Sequence, residues 1–357
     1  MNELAGNNFE EVKMKALHPH LTRKLGFGDL GLRMLPFMFT RIRKIVKQHN
    51  IRFILYPVPP WFTLALVPLI KHLTKIPYGI DFIDPWVENE LPTNASFKQK
   101  MSQKLARHFE KKAVKQADVI YAVSDGINNN LIKLHGKINA ELLAIPYGVE
   151  PDDFNLSVNT GNNAKLTIRY IGAVWPDAYP VLEGLFSAFH MLKENYNFVI
   201  EFIGTSYAGA GLSEKQLKPW IEKHNLSSVC MEQPERVPYK KAIELNLTSN
   251  ILLLFGGMQP YYAASKLMGL IASGKPFFAF LHKESFPAHF LNELAYPYLV
   301  TYSNKQHELP IAKVDDVVNT FSALLNEHKA FVPLDINHPL IQENTANGMT
   351  KKFAGPI

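Results

Sequence analysis

The stretch Tyr262–Pro276, YAASKLMGLIASGKP, and the apolar run Asn250–Phe255 before it decide the fold of this chain. The apolar run is typical of a short buried strand, and a Gly-Gly turn, an amphipathic helix and a further strand follow it. In an open α/β sheet, ligands bind beyond the carboxyl ends of the strands, where the start of a helix offers unpaired amides to an anion. Lys266 adds a mobile positive charge at this place. The stretch therefore predicts a diphosphate site that needs no Walker loop.

Strands and helices alternate in the same way along most of the chain. Each predicted strand is a continuous apolar run, as a parallel sheet covered on both faces requires. The alternation implies right-handed βαβ units, so the predicted fold class is α/β. The predicted strands are Ile51–Tyr56, Tyr78–Phe82, Val119–Val123, Leu142–Ile145, Thr167–Gly172, Phe198–Gly204, Val229–Met231 and Ile251–Phe255. Pro57 is expected to end the first of them, because proline cannot donate to a sheet.

Length and composition describe an ordinary globular protein. The chain has 357 residues, enough for about two domains of ~150 residues each, and the polar segment Asp152–Ala164 is the predicted linker. A single cysteine, Cys230, excludes an internal disulfide framework and fits a reducing compartment. The first residues have no apolar signal-peptide core, and the most apolar stretch, Trp61–Ile70, is far below the ~20 residues that span a bilayer. These features predict a cytoplasmic protein.

The net charge of +6 is unevenly distributed. Residues 1–50 contain nine Lys and Arg against four Asp and Glu, and residues 97–115 contain seven against one. Such patches favour an anionic membrane surface as a partner, which would place the protein peripherally on a membrane. The alternative is a solvated helix face. The basic runs carry few aromatic residues on which bases could stack, which argues against a nucleic-acid partner.

The segment Lys98–Lys115 is predicted to form a long helix. Met101, Leu105, Phe109 and Ala113 recur at a spacing of four, which places them on one side of a helix. We therefore expect this stripe to be buried.

The stretch Ala264–Pro276 resembles the nucleotide-sugar site of GT-B glycosyltransferases, especially those of family 4. A bacterial subgroup that builds surface polysaccharides shares several further motifs with this chain. The similar stretches, in the expected order, are Asp81–Trp86, Ala117–Ser124, Ile145–Val149, Phe202–Tyr207 and Glu235–Tyr239.

The resemblance implies a GT-B fold, in which two Rossmann-like parallel-sheet domains face a central cleft. Residues 1–153 would form the acceptor-side domain. That domain looks shortened, because residues 1–45 contain no predicted strand. Residues 165–340 would form the nucleotide-sugar domain, and residues 341–357 a C-terminal helix that packs back toward the first domain.

The resemblance also implies the function. The chain would transfer a sugar from a nucleotide-sugar to a glycan or lipid-linked acceptor during surface polysaccharide synthesis, as a hexosyltransferase-like enzyme without a metal or other cofactor. Lys266 and Asp84 would be the catalytic residues. The residues expected around the donor are Gly172, Ala173, Val174, Gly204, Thr205, Arg236, Tyr239, Gly257, Ser265 and Lys266.

The residues expected to contact the acceptor lie in the loop after the second predicted strand. Asp84 would bind acceptor hydroxyls or act as a base, beside Trp86 and Glu88. The alternative is an Asp that caps a helix and a Trp that packs in the core.

The chain also departs from the family pattern. Family-4 enzymes carry two glutamates eight residues apart, and Tyr261 and Gly269 stand at those positions here. Ile83 replaces the subgroup's Arg. These losses favour an alternative function, that of a catalytically inactive GT-B relative that binds a nucleotide-sugar or glycan or serves as a partner subunit.

Overall fold

A computed structural model of the chain describes residues 13–18, 30–87, 96–158, 165–209 and 211–356. These residues divide into two compact units. The first unit extends to Val123 and includes Ile127–Ala144, and the second contains Ser124–Gly126 and Ile145–Gly355. The sequence-based boundaries at residues 153, 165 and 340, and the packing of residues 341–357, stay predictions.

The first unit contains a four-stranded sheet. All of its neighbouring strands are parallel, and they lie in the order β1-β2-β3-β4. The strands are β1 (Ile54–Val58), β2 (Tyr78–Phe82), β3 (Val119–Ala122) and β4 (Glu141–Ala144). The helices of this part of the chain are α1 (Leu30–Gln48), α2 (Val67–Thr74), α3 (Phe97–Gln116) and α4 (Asp125–His135). Every residue of β3 is buried. This agrees with the continuous apolar runs of the sequence, which predicted a parallel sheet covered on both faces.

The first strand differs from its prediction. It begins three residues later than expected, at Ile54, and it continues through Pro57, which pairs with Asp81 of β2. The expectation that Pro57 ends the strand is therefore wrong. β1 lies at the edge of the sheet, where the amide that proline lacks would bond to no neighbouring strand.

The buried side of α3 also differs from its prediction. Met101 and Leu105 are each 43% exposed and Phe109 is half-buried, so Ala113 alone of the expected stripe is fully buried. The side chains buried on this helix are those of Ala106, Glu110, Ala113 and Val114. Glu110 contacts His135 of α4 at 2.6 Å between Oε1 and Nε2, and both side chains are fully buried. A face of small residues with one paired carboxyl thus packs inward in place of the apolar stripe.

The second unit contains six parallel strands in the order β10-β9-β8-β5-β6-β7. The strands are β5 (Leu166–Ile171), β6 (Phe198–Ile203), β7 (Cys230–Gln233), β8 (Ile251–Phe255), β9 (Phe277–His282) and β10 (Leu299–Tyr302). The helices are α5 (Tyr179–Leu192), α6 (Lys218–Lys223), α7 (Tyr239–Leu247), α8 (Leu267–Ala272), α9 (Phe286–Glu293), α10 (Val314–Glu327), α11 (Pro339–Gln342) and α12 (Ala346–Ala354). All residues of β8 and β9 are buried, so helices cover both faces of this sheet.

The strand order of this sheet reverses at one point. The chain proceeds outward from β5 through β6 to β7, returns to the other side of β5 at β8, and continues outward through β9 to β10. The carboxyl ends of β5 and β8 therefore flank a topological switch point, which is where open α/β sheets bind ligands. The predicted fold class, two parallel α/β sheets, is confirmed.

Among the residues that the structure describes, no helix combines the length and the hydropathy needed to cross a bilayer.

Candidate functional site

The candidate site lies at the switch point of the second sheet, where the loop after β8 meets the loop after β5. The side chain of Lys266 passes directly over Gly172. A Cβ added at Gly172 would lie 2.2 Å from Cε and 2.4 Å from Nζ of Lys266. Gly172 also has a φ of +142°, a conformation that glycine adopts more readily than other residues. The structure thus brings together two residues that the sequence placed at a diphosphate.

The Lys266 ammonium rests on Tyr170 of β5. Nζ donates a hydrogen bond of 2.7 Å to the Tyr170 hydroxyl and lies 4.0 Å from the centre of the ring. The fully buried Tyr170 ring stacks on Phe255 of β8 at 4.1 Å. Desolvation lowers the pKa of Lys266 to about 7, because burial penalises its charged form. An anion bound beside Nζ would restore the charge.

The loop after β5 is tied to β6 by its backbone. The amide of Gly172 donates to the Ile203 carbonyl at 2.8 Å, and that of Val174 donates to the Thr205 carbonyl at 2.9 Å. The amide of Ala173 has no acceptor among the residues that the structure describes. Of the amides of Gly172, Ala173 and Val174, two are therefore bonded inside the protein, and that of Ala173 is available to a ligand.

Gly204 and Thr205, the residues predicted at the donor after β6, make contacts inside the protein. Gly204 has a φ of +75° and lies close to the backbone of Arg236. Thr205 is fully buried, and its hydroxyl donates to Glu232 at 2.5 Å. The Glu232 carboxylate also accepts the amide of Gln216 at 2.7 Å. The Thr205 hydroxyl thus anchors the loop before α6 instead of pointing to a ligand.

Arg236 and Tyr239, predicted to frame the base, have different partners. The exposed Arg236 guanidinium lies 5.7 Å from the centre of the Tyr207 ring, which in turn lies 6.2 Å from the Trp175 ring. Tyr239 instead donates its hydroxyl to Asp153 at 3.0 Å, and burial with this carboxylate raises its pKa to about 12. Arg236 thus belongs to an aromatic cluster that includes a residue of the β5 loop.

The carboxylate of Asp177 occupies the space beside Gly257. A Cβ at Gly257 would lie 1.9 Å from Oδ2 of Asp177, so the glycine is required for this close approach. The backbone amides of Met258 and Gln259 bond to Asp177, while desolvation raises its pKa. Asp177 therefore fastens the β5 loop to the β8 loop, and its charge disfavours an anion directly at Gly257.

The helix after Lys266 is short. α8 covers only Leu267–Ala272, with Lys266 as its N-cap and Ser265 exposed in the preceding turn. No acceptor among the described residues contacts the amides of Ser265 and Lys266. These amides are the two that the sequence predicted to be free at this turn.

The predicted acceptor residues belong to the first unit. Asp84 follows β2 and is exposed. Partial loss of water around its carboxyl nevertheless raises the pKa of that group. Trp86 is only 9% exposed and stacks on Trp61 with ring centres 6.5 Å apart, so its ring packs in an aromatic cluster. Glu88 lies outside the described residues.

The sequence did not indicate two residues of the site, Tyr170 and Asp177. Both lie within five positions of Gly172, so a closer examination of polar residues around that glycine would have found them. Gly269, which stands where the family carries a glutamate, faces Phe154: its added Cβ would lie 3.5 Å from that ring.

Within the described ranges, no three or more His, Cys, Asp or Glu side chains are grouped so that they could hold a metal ion. The expectation that no metal or other cofactor is needed stays a prediction.

Comparison with known proteins gives structural matches but no sequence matches. No protein-family model and no curated protein matches the sequence. A glycosyltransferase from Rickettsia africae superposes with a TM-score of 0.60 at 15% identity, covering 88% of this chain and 78% of that one. HepE from Anabaena, in complex with UDP-glucose, gives 0.63 at 12% identity, with 88% and 80% covered.

A third solved structure has the same architecture. Sucrose-phosphate synthase from Thermosynechococcus elongatus superposes with a TM-score of 0.58 at 11% identity, covering 90% of this chain and 73% of that one. At identities this low, the superpositions establish the fold alone and say nothing of the activity. The chain has the GT-B fold of these glycosyltransferases, two α/β units each built on a parallel sheet.

Proposed function

We propose that this protein is a glycosyltransferase that transfers a sugar from a nucleotide-sugar to a glycan or lipid-linked acceptor in surface polysaccharide synthesis. The observation that supports it best is the position of Lys266 over Gly172 at the switch point of the second sheet. HepE, which has the same fold, is known in complex with UDP and with UDP-glucose. A nucleoside diphosphate is thus the leaving group that this site would hold.

Lys266 would act on the charge that develops as the sugar leaves. The bond between the anomeric carbon and the phosphate oxygen breaks, and negative charge accumulates on the diphosphate. A positive group fixed beside those oxygens lowers the barrier more than one that water must screen. The Tyr170 hydroxyl holds the ammonium in place at 2.7 Å, and the amides of Ala173, Ser265 and Lys266 would add donors.

Asp84 would serve the acceptor. It would accept the proton of the attacking hydroxyl as the new glycosidic bond forms. Desolvation raises the pKa of its carboxyl, which makes the carboxylate a stronger base. Acceptors of this kind are carried on membrane lipids, so we place the protein in the cytoplasm, peripherally at the inner face of the membrane.

A thermal-shift panel tests the donor site. Wild-type protein, Lys266→Ala and the matched control Lys275→Ala are heated with UDP, GDP and ADP. Lys275 is also a desolvated lysine with a lowered pKa, but it follows α8 at the far end from the site. One nucleotide should stabilise the wild type and Lys275→Ala but not Lys266→Ala. If none stabilises the wild type, the proposed donor site is wrong.

The second candidate is an inactive GT-B relative that binds a nucleotide-sugar or glycan or acts as a partner subunit. The specific observation in its favour is that Tyr261 and Gly269 replace the two glutamates, and that Gly269 faces Phe154 instead of a polar group. Consumption of the matching nucleotide-sugar distinguishes the two. Release of nucleoside diphosphate that is lost in Lys266→Ala supports the enzyme, whereas tight binding without release supports the inactive relative.

A further inference from the structure

The outward face of α3 carries large apolar side chains that the core does not use. Phe97 is 79% exposed, and Met101 and Leu105 are each 43% exposed. Their spacing of four places them in one stripe along the helix. Ala106 and Ala113 are buried on the opposite side of the helix. The stripe is thus an apolar surface that faces solvent.

Basic side chains flank this stripe. All seven Lys and Arg residues of the helix are exposed. At about 100° per residue, Lys104 and Lys112 project within about 60° of the line through Phe97 and Met101. The helix's one acidic residue, Glu110, is buried against His135 and leaves the outward face without a negative charge.

We infer that this outward face, formed by Phe97, Met101 and Leu105 with their flanking lysines, binds the surface of an anionic lipid bilayer. A helix that lies in a membrane interface inserts apolar side chains below the headgroups and holds its basic side chains at their level. A bilayer with anionic lipids offers both hydrocarbon and negative charge, whereas a nucleic acid offers charge without an apolar layer. The inference rests on the peripheral membrane placement of the proposed function and names the surface that binds, and vesicle binding can succeed or fail independently of nucleotide-sugar binding.

The electrostatic part of this binding can be measured separately from the apolar part. Each basic residue near an anionic surface contributes about fivefold in affinity at moderate salt, and this contribution falls as salt screens the charges. The apolar part depends on Phe97, Met101 and Leu105 and withstands salt better. An interfacial helix therefore requires both sets of residues, and substitutions of either set should weaken binding.

Co-sedimentation of the full chain with vesicles tests the inference. The vesicles are phosphatidylcholine alone or phosphatidylcholine with a quarter of phosphatidylglycerol. We expect binding to the anionic vesicles only, weakened at least tenfold by the triple substitution Phe97→Ser, Met101→Ser and Leu105→Ser. Lys104→Gln with Lys112→Gln should weaken it at least fivefold.

Matched controls keep the test specific. The triple substitution Met191→Ser, Ile311→Ser and Val332→Ser removes three exposed apolar side chains of the second unit, and it should bind vesicles like the wild type. Circular dichroism checks that each variant is folded. Equal binding to neutral vesicles, no vesicle binding, or unchanged binding by either α3 variant would each overturn the inference. So would binding to RNA, but not to vesicles, through the same lysines.

Discussion

The Lys266 ammonium is held by Tyr170 through two contacts, a hydrogen bond of 2.7 Å to the hydroxyl and a distance of 4.0 Å to the ring centre. The two residues are 96 positions apart in the sequence. Tyr170 lies at the end of β5, and its hydroxyl also donates to the Ala173 carbonyl at 3.0 Å. One hydroxyl thus fixes both the lysine and the loop over which the lysine lies.

Tyr170→Phe should weaken nucleoside diphosphate binding about fivefold, because one hydrogen bond contributes about 1 kcal/mol. The ring and its stacking on Phe255 are retained, so the fold should survive. Isothermal titration calorimetry measures the affinity. Tyr298→Phe is the control, since Tyr298 is also buried but donates to Glu327, away from the site. Unchanged affinity in Tyr170→Phe would show that the hydroxyl does not position Lys266.

Nucleotide binding should depend on pH through Lys266. Its pKa in the free protein is lowered to about 7, and a bound diphosphate raises it again. Binding therefore takes up a proton, and affinity should fall by about fivefold between pH 7 and pH 8. Titrations in two buffers of different ionisation enthalpy count the protons. A pH titration of the free nucleotide corrects for protonation of the nucleotide itself, and an affinity that does not fall between pH 7 and pH 8 would contradict the prediction.

Lys266→Met should stabilise the nucleotide-free protein while it abolishes binding. The pKa of Lys266 is 10.5 when unperturbed and about 7 when folded, so the unfolded chain binds more protons between these values. Burial of Lys266 therefore lowers the free energy of unfolding. This destabilisation is fully present below pH 7 and disappears as pH rises toward 10.5. We expect a gain of roughly 1 kcal/mol at pH 7, or about 2–4 °C in Tm. A gain that grows with rising pH would have the wrong sign.

Gly172→Ala should displace Lys266, because the new Cβ would lie 2.4 Å from Nζ. We expect loss of nucleotide binding and a destabilisation of roughly 1–3 kcal/mol from the positive φ. Gly211→Ala separates the two effects, since Gly211 has a φ of +78° and no atom of the described residues lies within 4 Å of the added Cβ. That variant should lose stability but keep binding. Full affinity in Gly172→Ala would exclude Lys266 from the site.

Glu110→Ala should destabilise the first unit strongly. It leaves His135 buried without its partner, and breaking a buried pair in this way costs about 3–5 kcal/mol. Urea denaturation measures the change. Lys111→Ala, the exposed neighbour on the same helix, should change stability by less than about 0.5 kcal/mol. Similar small effects in both variants would mean that the pair does not determine which side of α3 is buried.

Much of the second sheet followed from local patterns. The predicted strand Ile251–Phe255 has the same bounds as β8. The predicted strand Phe198–Gly204 is one residue longer than β6, which ends at Ile203. An apolar run of five or six residues between turn signals has few alternatives to a covered parallel strand. The position of Lys266 beyond β8 could therefore be predicted, because only the turn after the strand decides it.

Other features required the folded chain. A spacing of four cannot tell which side of α3 is buried, and the Glu110–His135 contact joins residues on separate helices. Likewise, the Thr205 hydroxyl was expected to reach a ligand, but Glu232 from the next strand accepts it. Both partners lie far along the chain, where no local pattern indicates them.

The sequence by itself determined most of the strands, the parallel sheets and the presence of a lysine beyond β8, because these depend on residues that are neighbours along the chain. Only the tertiary structure decided that β8 pairs with β5, and that pairing places Lys266 over Gly172 and against Tyr170. The order of strands in a sheet depends on the packing of distant segments, which local periodicity does not encode.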